Sequence, residues 1–265
     1  MDSANQAFND LEYDKALKSY KQILGVISEH STEENEAKAD IYLRIGQCLL
    51  FVNRPAESAE YLISSLKITL QLFGKEHIRI AQILALMGNL NFMCNRLEQA
   101  FSNFEESRKI YMKLHGTQPS ELASILRLMA NIQEKLQHNS KALDLYQEAY
   151  YYFEKEQTKN ILQIYEIRKD IAKIHLKTSN FEDAYNQYKN CIDLAHQYLE
   201  RDPLALSDLE ERCGELSLKT KQYLRAATHF DNASKLTAEK VGEGHMKVTE
   251  LSLKADNCRQ DAHSK

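Results

Sequence analysis

Histidines, cysteines and their spacing are where metal binding or nucleophilic catalysis would show first in this sequence. The chain carries nine histidines and five cysteines in 265 residues. His77 and His245 both close glycine-containing segments, Gly74-Lys75-Glu76-His77 and Gly242-Glu243-Gly244-His245, and hold one repeat phase, which marks them as turn residues. His175 and His196 have no cysteine pair beside them at zinc-ligand spacing. Cys48, Cys94, Cys191, Cys213 and Cys258 are odd in number and widely spread, so they form neither a disulfide framework nor a zinc pattern. Small buried hydrophobes are the expected role for them. A glycine-rich phosphate loop, a nucleophile elbow and a His-Glu-x-x-His helix are all missing from the sequence. The expectation is a protein that is not an enzyme and uses no metal or cofactor.

Composition narrows the partners. Hydrophobic residues make up 43% and charged residues 27%, with a formal net charge of −4. A mildly acidic chain is a poor general ligand for phosphate backbones, so nucleic acid is disfavoured. No apolar run reaches the roughly 18 residues that a membrane span needs. The opening Met1-Asp2-Ser3-Ala4-Asn5-Gln6 lacks the basic and apolar stretches of a signal peptide. Reduced thiols in the cytoplasm are expected. Three prolines and eight glycines are too few for the many turns of an all-β fold.

Periodicity says what the residues are for. Ala4, Gly46, Gly88, Ala130, Ala172 and Gly214 are spaced by 42 residues throughout. Twelve residues beyond each reference position stands another small residue: Ala16, Ser58, Ala100, Ala142, Ala184 and Ala226. Four further on is a bulky one: Tyr20, Leu62, Phe104, Tyr146, Tyr188 and Phe230. Three beyond that come Ser65, Ser107, Ala149, Cys191 and Ala233, a column that Ile23 breaks in the first unit. Steps of three and four share one helical stripe. Small residues on one helix open the groove that a large residue of its neighbour fills.

Punctuation keeps the same register. Gly74 and Gly116 lie fourteen residues before a reference position, and Gly242 holds that phase, where glycine ends a helix in a left-handed cap. Pro119 and Pro203 suit first helical turns, with Asp202 as an N-cap, and Pro55 starts a second helix. Each unit therefore reads as helix A, a short turn and a longer helix B. Helix A is predicted over 37–51, 78–93, 120–136, 162–177 and 204–219. Helix B is predicted over 11–29, 55–73, 97–114, 139–156, 181–200 and 223–241. A final helix over 245–261 caps the array, with Lys247, Glu250, Lys254, Asp256 and Arg259 on a solvated outer face. Met1 falls three residues before Ala4, so the first helix A is half present, as in a chain that starts inside a longer array or is completed by another protein.

The small–bulky–small pattern, with Tyr13, Phe181 or Tyr223 opening helix B, resembles the tetratricopeptide repeat. The 42-residue length and the segments Leu72-Phe73-Gly74-Lys75-Glu76-His77 and Lys240-Val241-Gly242-Glu243-Gly244-His245 resemble the kinesin light chain type. The asparagine pair typical of that type is replaced by Ala85-Leu86 and Arg127-Leu128, so no kinesin subunit is inferred. The fold expected is an all-α, right-handed superhelical solenoid of about six helix pairs plus a C-terminal capping helix. It would form a single domain over 1–265, with units near 1–30, 37–74, 78–116, 120–157, 162–200 and 204–242.

The resemblance further implies that residues three before and one, four and five after each reference position face a concave groove. Leu43, Gln47, Leu50 and Phe51 then come from one unit, and Ala85, Asn89, Phe92 and Met93 from the next. Arg127, Asn131, Glu134 and Lys135 follow, then Lys169, Lys173, Leu176 and Lys177, with Glu211, Glu215 and Lys219 beyond. An extended peptide is expected there, its apolar anchor on Leu50, Phe51, Phe92 and Met93 and its acidic flank on the stripe from Arg127 to Lys177. Asn89 and Asn131 would hold its backbone. The competing expectation is an architectural subunit of a multiprotein complex, packing by its convex face or ends. The run Tyr150-Tyr151-Tyr152-Phe153, aromatic all round helix B, is a candidate contact for that.

Overall fold

The computed structural model describes residues 1–30, 35–114, 119–155, 160–198 and 202–264. Among them stand thirteen helices and no strand. They are α1 (Asp2–Asn9), α2 (Tyr13–His30), α3 (Glu36–Phe51), α4 (Pro55–Phe73), α5 (Ile78–Met93), α6 (Leu97–Lys113) and α7 (Pro119–Lys135). The rest are α8 (Asn139–Glu154), α9 (Ile161–Lys177), α10 (Phe181–Tyr198), α11 (Pro203–Lys219), α12 (Tyr223–Val241) and α13 (Met246–His263). The helix A and helix B series therefore fall where periodicity puts them. The predicted helix ends at 156 and 200, and Gly116, lie outside the described residues.

Local chemistry sets the boundaries. Pro55, Pro119 and Pro203 each stand first in their helices, where the missing N–H has no partner to lose. Asp202 caps α11 by accepting from the Leu204 amide at 3.1 Å. The two histidines of equal phase do the same work: His77 Nδ1 accepts from the Arg79 amide at 3.3 Å, and His245 Nδ1 from the Lys247 amide at 3.2 Å. Gly74 and Gly242 end α4 and α12 at φ +74° and +90°.

The turn inside each helix pair carries a signal that composition hides. Leu11, Asn53, Asn95, Gln137, Ser179 and Lys221 all have φ between 57° and 62°, and they too are spaced by 42 residues. Each closes helix A with the same two backbone bonds. At Asn53, for example, the Asn53 amide donates to Leu50 O at 3.0 Å and the Arg54 amide to Leu49 O at 2.7 Å. The repeat thus demands left-handed backbone at a position where glycine never occurs.

The reference columns form the core. Each small reference residue is buried, as is every bulky partner sixteen residues later. A Cβ added to Gly46, Gly88 or Gly214 would stand 2.7, 2.6 or 2.8 Å from Leu62, Phe104 or Phe230, too close for carbon atoms. The third column adds a polar clasp. Ser65 and Ser107 donate their hydroxyls to the carbonyls of Ala39 and Ala81 at 2.8 and 2.6 Å, and Cys191 approaches Tyr165 O at 3.6 Å. Ile23, which breaks that column, is only half-buried.

The chain divides into two compact units, Met1–Ile132 and Gln133–Lys265. In the first, consecutive helices from α1 to α6 pack on one another, and α3 also touches α5. Its cores include Ala4, Tyr20, Ile41, Ile45 and Leu49, and a second group of Leu43, Leu50, Leu62, Ile83 and Leu90. In the second unit, consecutive helices from α8 to α13 pack in order. Here α13 lays Leu251, Ala255 and Cys258 on Ala226, Ala227, Phe230 and Ala233 of α12. The side chains expected on the solvated face of α13 are partly turned inward. Lys247 and Lys254 reach Glu211 at 2.9 and 2.7 Å, because their spacing of seven lays them along the edge of the stripe that carries Leu251. Arg259 likewise reaches Asp231 as well as Asp256.

Candidate functional site

In the first unit, equivalent positions of α1, α3, α5 and α7 line one trough with a cavity of about 580 Å³. Asn5 comes from α1, and Asp40, Leu43, Arg44 and Gln47 from α3. The next helix supplies Arg79, Gln82, Ala85, Leu86 and Asn89. Then α7 adds Glu121, Ser124, Ile125 and Leu128, with Tyr111 of α6 at the floor. Relative to the reference positions, all but Tyr111 and Ile125 are the residues nine, six, three and two before and one after, and Ile125 stands five before. Steps of three and four make that set a single helical stripe with one flank.

The stripe mixes three kinds of surface. Leu43, Ala85, Leu86, Ile125 and Leu128 give it an apolar wall. Gln82 and Asn89 form no side-chain hydrogen bond among the described residues, and Gln47 accepts only from Arg44 Nη1, at 3.2 Å. Arg79 is held by Glu36 at 2.7 Å and Asp40 at 3.2 Å. Burial raises the Asp40 carboxyl above its ordinary value, against the pull of Arg79. The Arg44 guanidinium lies 5.4 Å from the Phe8 ring centroid and meets no carboxylate within ion-pair distance among the described residues. Tyr111 is pushed up to about 12 by burial and then by the Glu121 charge, so it stays a neutral donor.

Of the residues expected to face a ligand, Leu43, Gln47, Ala85 and Asn89 meet in this trough. Leu50 is buried in the core with Leu62 and Ile83. Phe51 turns toward the helix-pair turn, stacked on Tyr13 at 4.3 Å, and Met93 is exposed at the end of α5. Phe92, Arg127 and Asn131 are half-buried, and Lys135 is exposed at the end of α7. In the second unit Lys169, Lys173 and Lys177 of the basic stripe each stand beside a carboxylate. Lys169 meets Glu166 at 3.3 Å, Lys173 meets Asp170 at 3.0 Å and Lys177 meets Glu134 at 2.6 Å. The columns that sequence reasoning missed are those nine, six and two before the reference position: Arg79 and Glu121; Asp40, Gln82 and Ser124; and Arg44, Leu86 and Leu128. Their signal was in the numbering, since they share the stripe of the column one after it.

The aromatic run of α8 is also resolved into roles. Phe153 is buried, Tyr150 accepts from Arg168 Nη2 and donates to Glu154, each at 2.6 Å, and Tyr151 is exposed with Lys155 over its ring. Among the described residues no group of three metal-ligating side chains occurs, and no helix is long and apolar enough to cross a membrane.

Comparison with known proteins agrees with this architecture. A tetratricopeptide repeat family model matches residues 38–113 and 79–155. No curated protein matches the chain by sequence. Among solved structures, BtubC (BKLC) from P. vanneervenii superposes with a TM-score of 0.69 at 15% identity, covering 87% of this chain and 92% of that one. A putative kinesin light chain from Podosopora anserina with nearly identical TPR-like repeats gives 0.63 at 10% identity, covering 78% and 99%. A Rap protein complexed with competence and sporulation factor gives 0.63 at 14% identity, covering 99% and 75%. At these identities the likeness shows the fold. Residues 38–155 match the tetratricopeptide repeat model and the same register continues on either side, so the fold is that of a tetratricopeptide-type repeat solenoid, similar to the solved kinesin light chain-like repeats.

Proposed function

We propose that the protein is a non-enzymatic adaptor that binds an extended peptide of a protein partner in the trough of its first unit. One observation carries this reading: the alternate helices α1, α3, α5 and α7 present equivalent positions to a single open cavity of about 580 Å³, half apolar and half polar, where Gln82 and Asn89 form no side-chain hydrogen bond among the described residues. Such a surface suits a chain running across helices. Leu43, Ala85, Leu86 and Leu128 bury an apolar side chain, while Gln82 and Asn89 bond peptide backbone groups without reading sequence. Arg44 is the cation there that holds no carboxylate of its own among the described residues, and it accepts an acidic flank. A few buried anchors usually carry most of the affinity in such a site. The Rap structure with its bound factor supports the reading as an example of this fold holding another molecule.

Selection of a displayed library of random twelve-residue peptides on the intact chain tests it. Clones that bind wild type are expected to lose at least about tenfold in affinity on Ala85→Arg, which fills the trough. Circular dichroism and the unfolding midpoint check that the variant stays folded. Binders indifferent to both Ala85→Arg and Asn89→Arg would place peptide capture elsewhere and end this proposal.

A further inference from the structure

The first helix-pair turn breaks a rule that its five counterparts keep. Position for position, the left-handed residue is Asn53, Asn95, Gln137, Ser179 and Lys221, all polar, but Leu11 in the first unit. Leucine is unfavourable in left-handed backbone, and here it is also 69% exposed, so its side chain gains nothing from the core. Strain at an exposed apolar residue has no use in the isolated fold.

What lies beside Leu11 gives it one. Phe8, Tyr13 and Phe51 form an aromatic wall: Tyr13 and Phe51 stack at 4.3 Å and 11°, and Phe8 meets them edge-on at 5.5 and 6.0 Å. Phe51 remains 58% exposed in spite of these contacts. Leu11, Tyr13, Phe51 and Val52 line an open cleft of about 640 Å³, rimmed by Glu12, Asp14 and Lys15. Lys15 is occupied by Glu12 at 2.8 Å, and Asp10 adds a further negative charge to that lysine's surroundings. Asp10 and Asp14 hold no cation within ion-pair distance among the described residues. Lys18 and Lys21 belong to a neighbouring cleft that shares Asp14, and Arg54 of that cleft is bonded to Glu57 at 2.6 Å. The rim of the Leu11 cleft is therefore acidic around an apolar floor.

We propose that this cleft is a second docking site, separate from the trough, for a partner segment that presents an apolar side chain flanked by lysine or arginine. The apolar group enters between Leu11 and the Phe51–Tyr13 stack, and the basic flanks meet Asp10 and Asp14. Burying Leu11 and Phe51 on binding gives the strained turn its compensation.

Leu11→Asn separates the proposal from a structural role, because asparagine already occupies this conformation at Asn53 and Asn95 with φ 58° and 57°. Its unfolding midpoint is expected to equal or exceed that of wild type. Random twelve-residue displayed peptides are selected on the wild-type chain and then ranked against Leu11→Asn and Ala85→Arg. The expected result is a class that loses at least about tenfold on Leu11→Asn, is unmoved by Ala85→Arg, carries Lys or Arg beside an apolar residue, and weakens with added salt. The proposal is overturned if no class separates the two variants, or if the class sensitive to Leu11 is acidic. It is equally overturned if wild type self-associates through this cleft, seen in sedimentation as dimer lost in Leu11→Asn, because the occupant is then a second copy. Loss on Ala85→Arg alone bears on the trough and leaves a Leu11-sensitive class intact, so the two readings fail separately.

Discussion

Ser207 on α11 donates its hydroxyl to the carbonyl oxygen of Ala233 on α12 at 2.9 Å, reversing the direction of the bonds from Ser65 to Ala39 and from Ser107 to Ala81. The positions seven before and nineteen after a reference residue therefore face each other, and the helix carrying the hydroxyl serves as donor. Ser207→Ala is expected to cost about 1 kcal/mol, the usual net worth of one buried hydrogen bond. The double variant Ser207→Ala/Ala233→Ser should recover most of it by donating from the other side. Urea unfolding of the three variants checks this; a double variant no better than the single one would refute the facing-pair rule.

Gly88 exists for Phe104. Its added Cβ would meet Phe104 Cε1 at 2.6 Å, and the ring is fully buried. Gly88→Ala gains about 1 kcal/mol of helix propensity, but overpacking costs about 1–3 kcal/mol. A net loss of about 1 kcal/mol is expected in thermal unfolding. A gain in stability would show that α5 and α6 can separate freely.

Lys221 sits at φ 58° in the turn between α11 and α12. Glycine avoids the left-handed penalty of about 1–2 kcal/mol but adds entropy to the unfolded chain. Lys221→Gly is expected to raise stability by about 0.5–1 kcal/mol. Glu215→Gly, at an exposed position inside α11, should lower it by about 1 kcal/mol. Denaturant midpoints of the two variants, compared with wild type, give the opposite signs directly.

Glu211 ties α13 to α11. Burial pushes its carboxyl up, but hydrogen bonds from Lys254 and Lys247 together outweigh burial and hold it below its ordinary value. A carboxyl depressed in the folded state stabilises above its unfolded pKa, and that stability is lost as pH falls through the folded value. Amide exchange along α13 is expected to accelerate as pH falls below the ordinary glutamate range, after correction for intrinsic rates. Glu211→Gln should remove that step, and a step unchanged in Glu211→Gln would assign it to other carboxylates.

Much of the fold was legible because it depends on size. Gly88 and Phe104, or Gly46 and Leu62, can be found by counting, since close packing allows only small against large at a fixed helical spacing. Prolines and glycines marked the helix ends for the same reason: their backbones admit few conformations. The six left-handed turns were not legible, because Leu11, Asn53, Asn95, Gln137, Ser179 and Lys221 share a backbone angle and no side-chain property. The helix-pair geometry imposes that angle on whatever residue stands there.

The trough was half legible. Periodicity places Leu43, Gln47, Ala85 and Asn89 on the helix A series, and the family likeness turned them toward a groove. Numbering sets Asp40, Arg44, Gln82 and Leu128 on the stripe of Gln47 and Asn89, but that this stripe faces the trough depends on how α3 and α5 rotate against their partners, which only the structure shows. Charge was the least predictable. Lys169, Lys173 and Lys177 read as an open basic stripe until the structure set Glu166, Asp170 and Glu134 beside them. The amino-acid sequence alone determined the repeat, its register and the buried columns, because those follow from side-chain volume at fixed spacing. Tertiary structure alone decided which polar groups remain free, because pairing is a matter of distance between residues far apart in the chain.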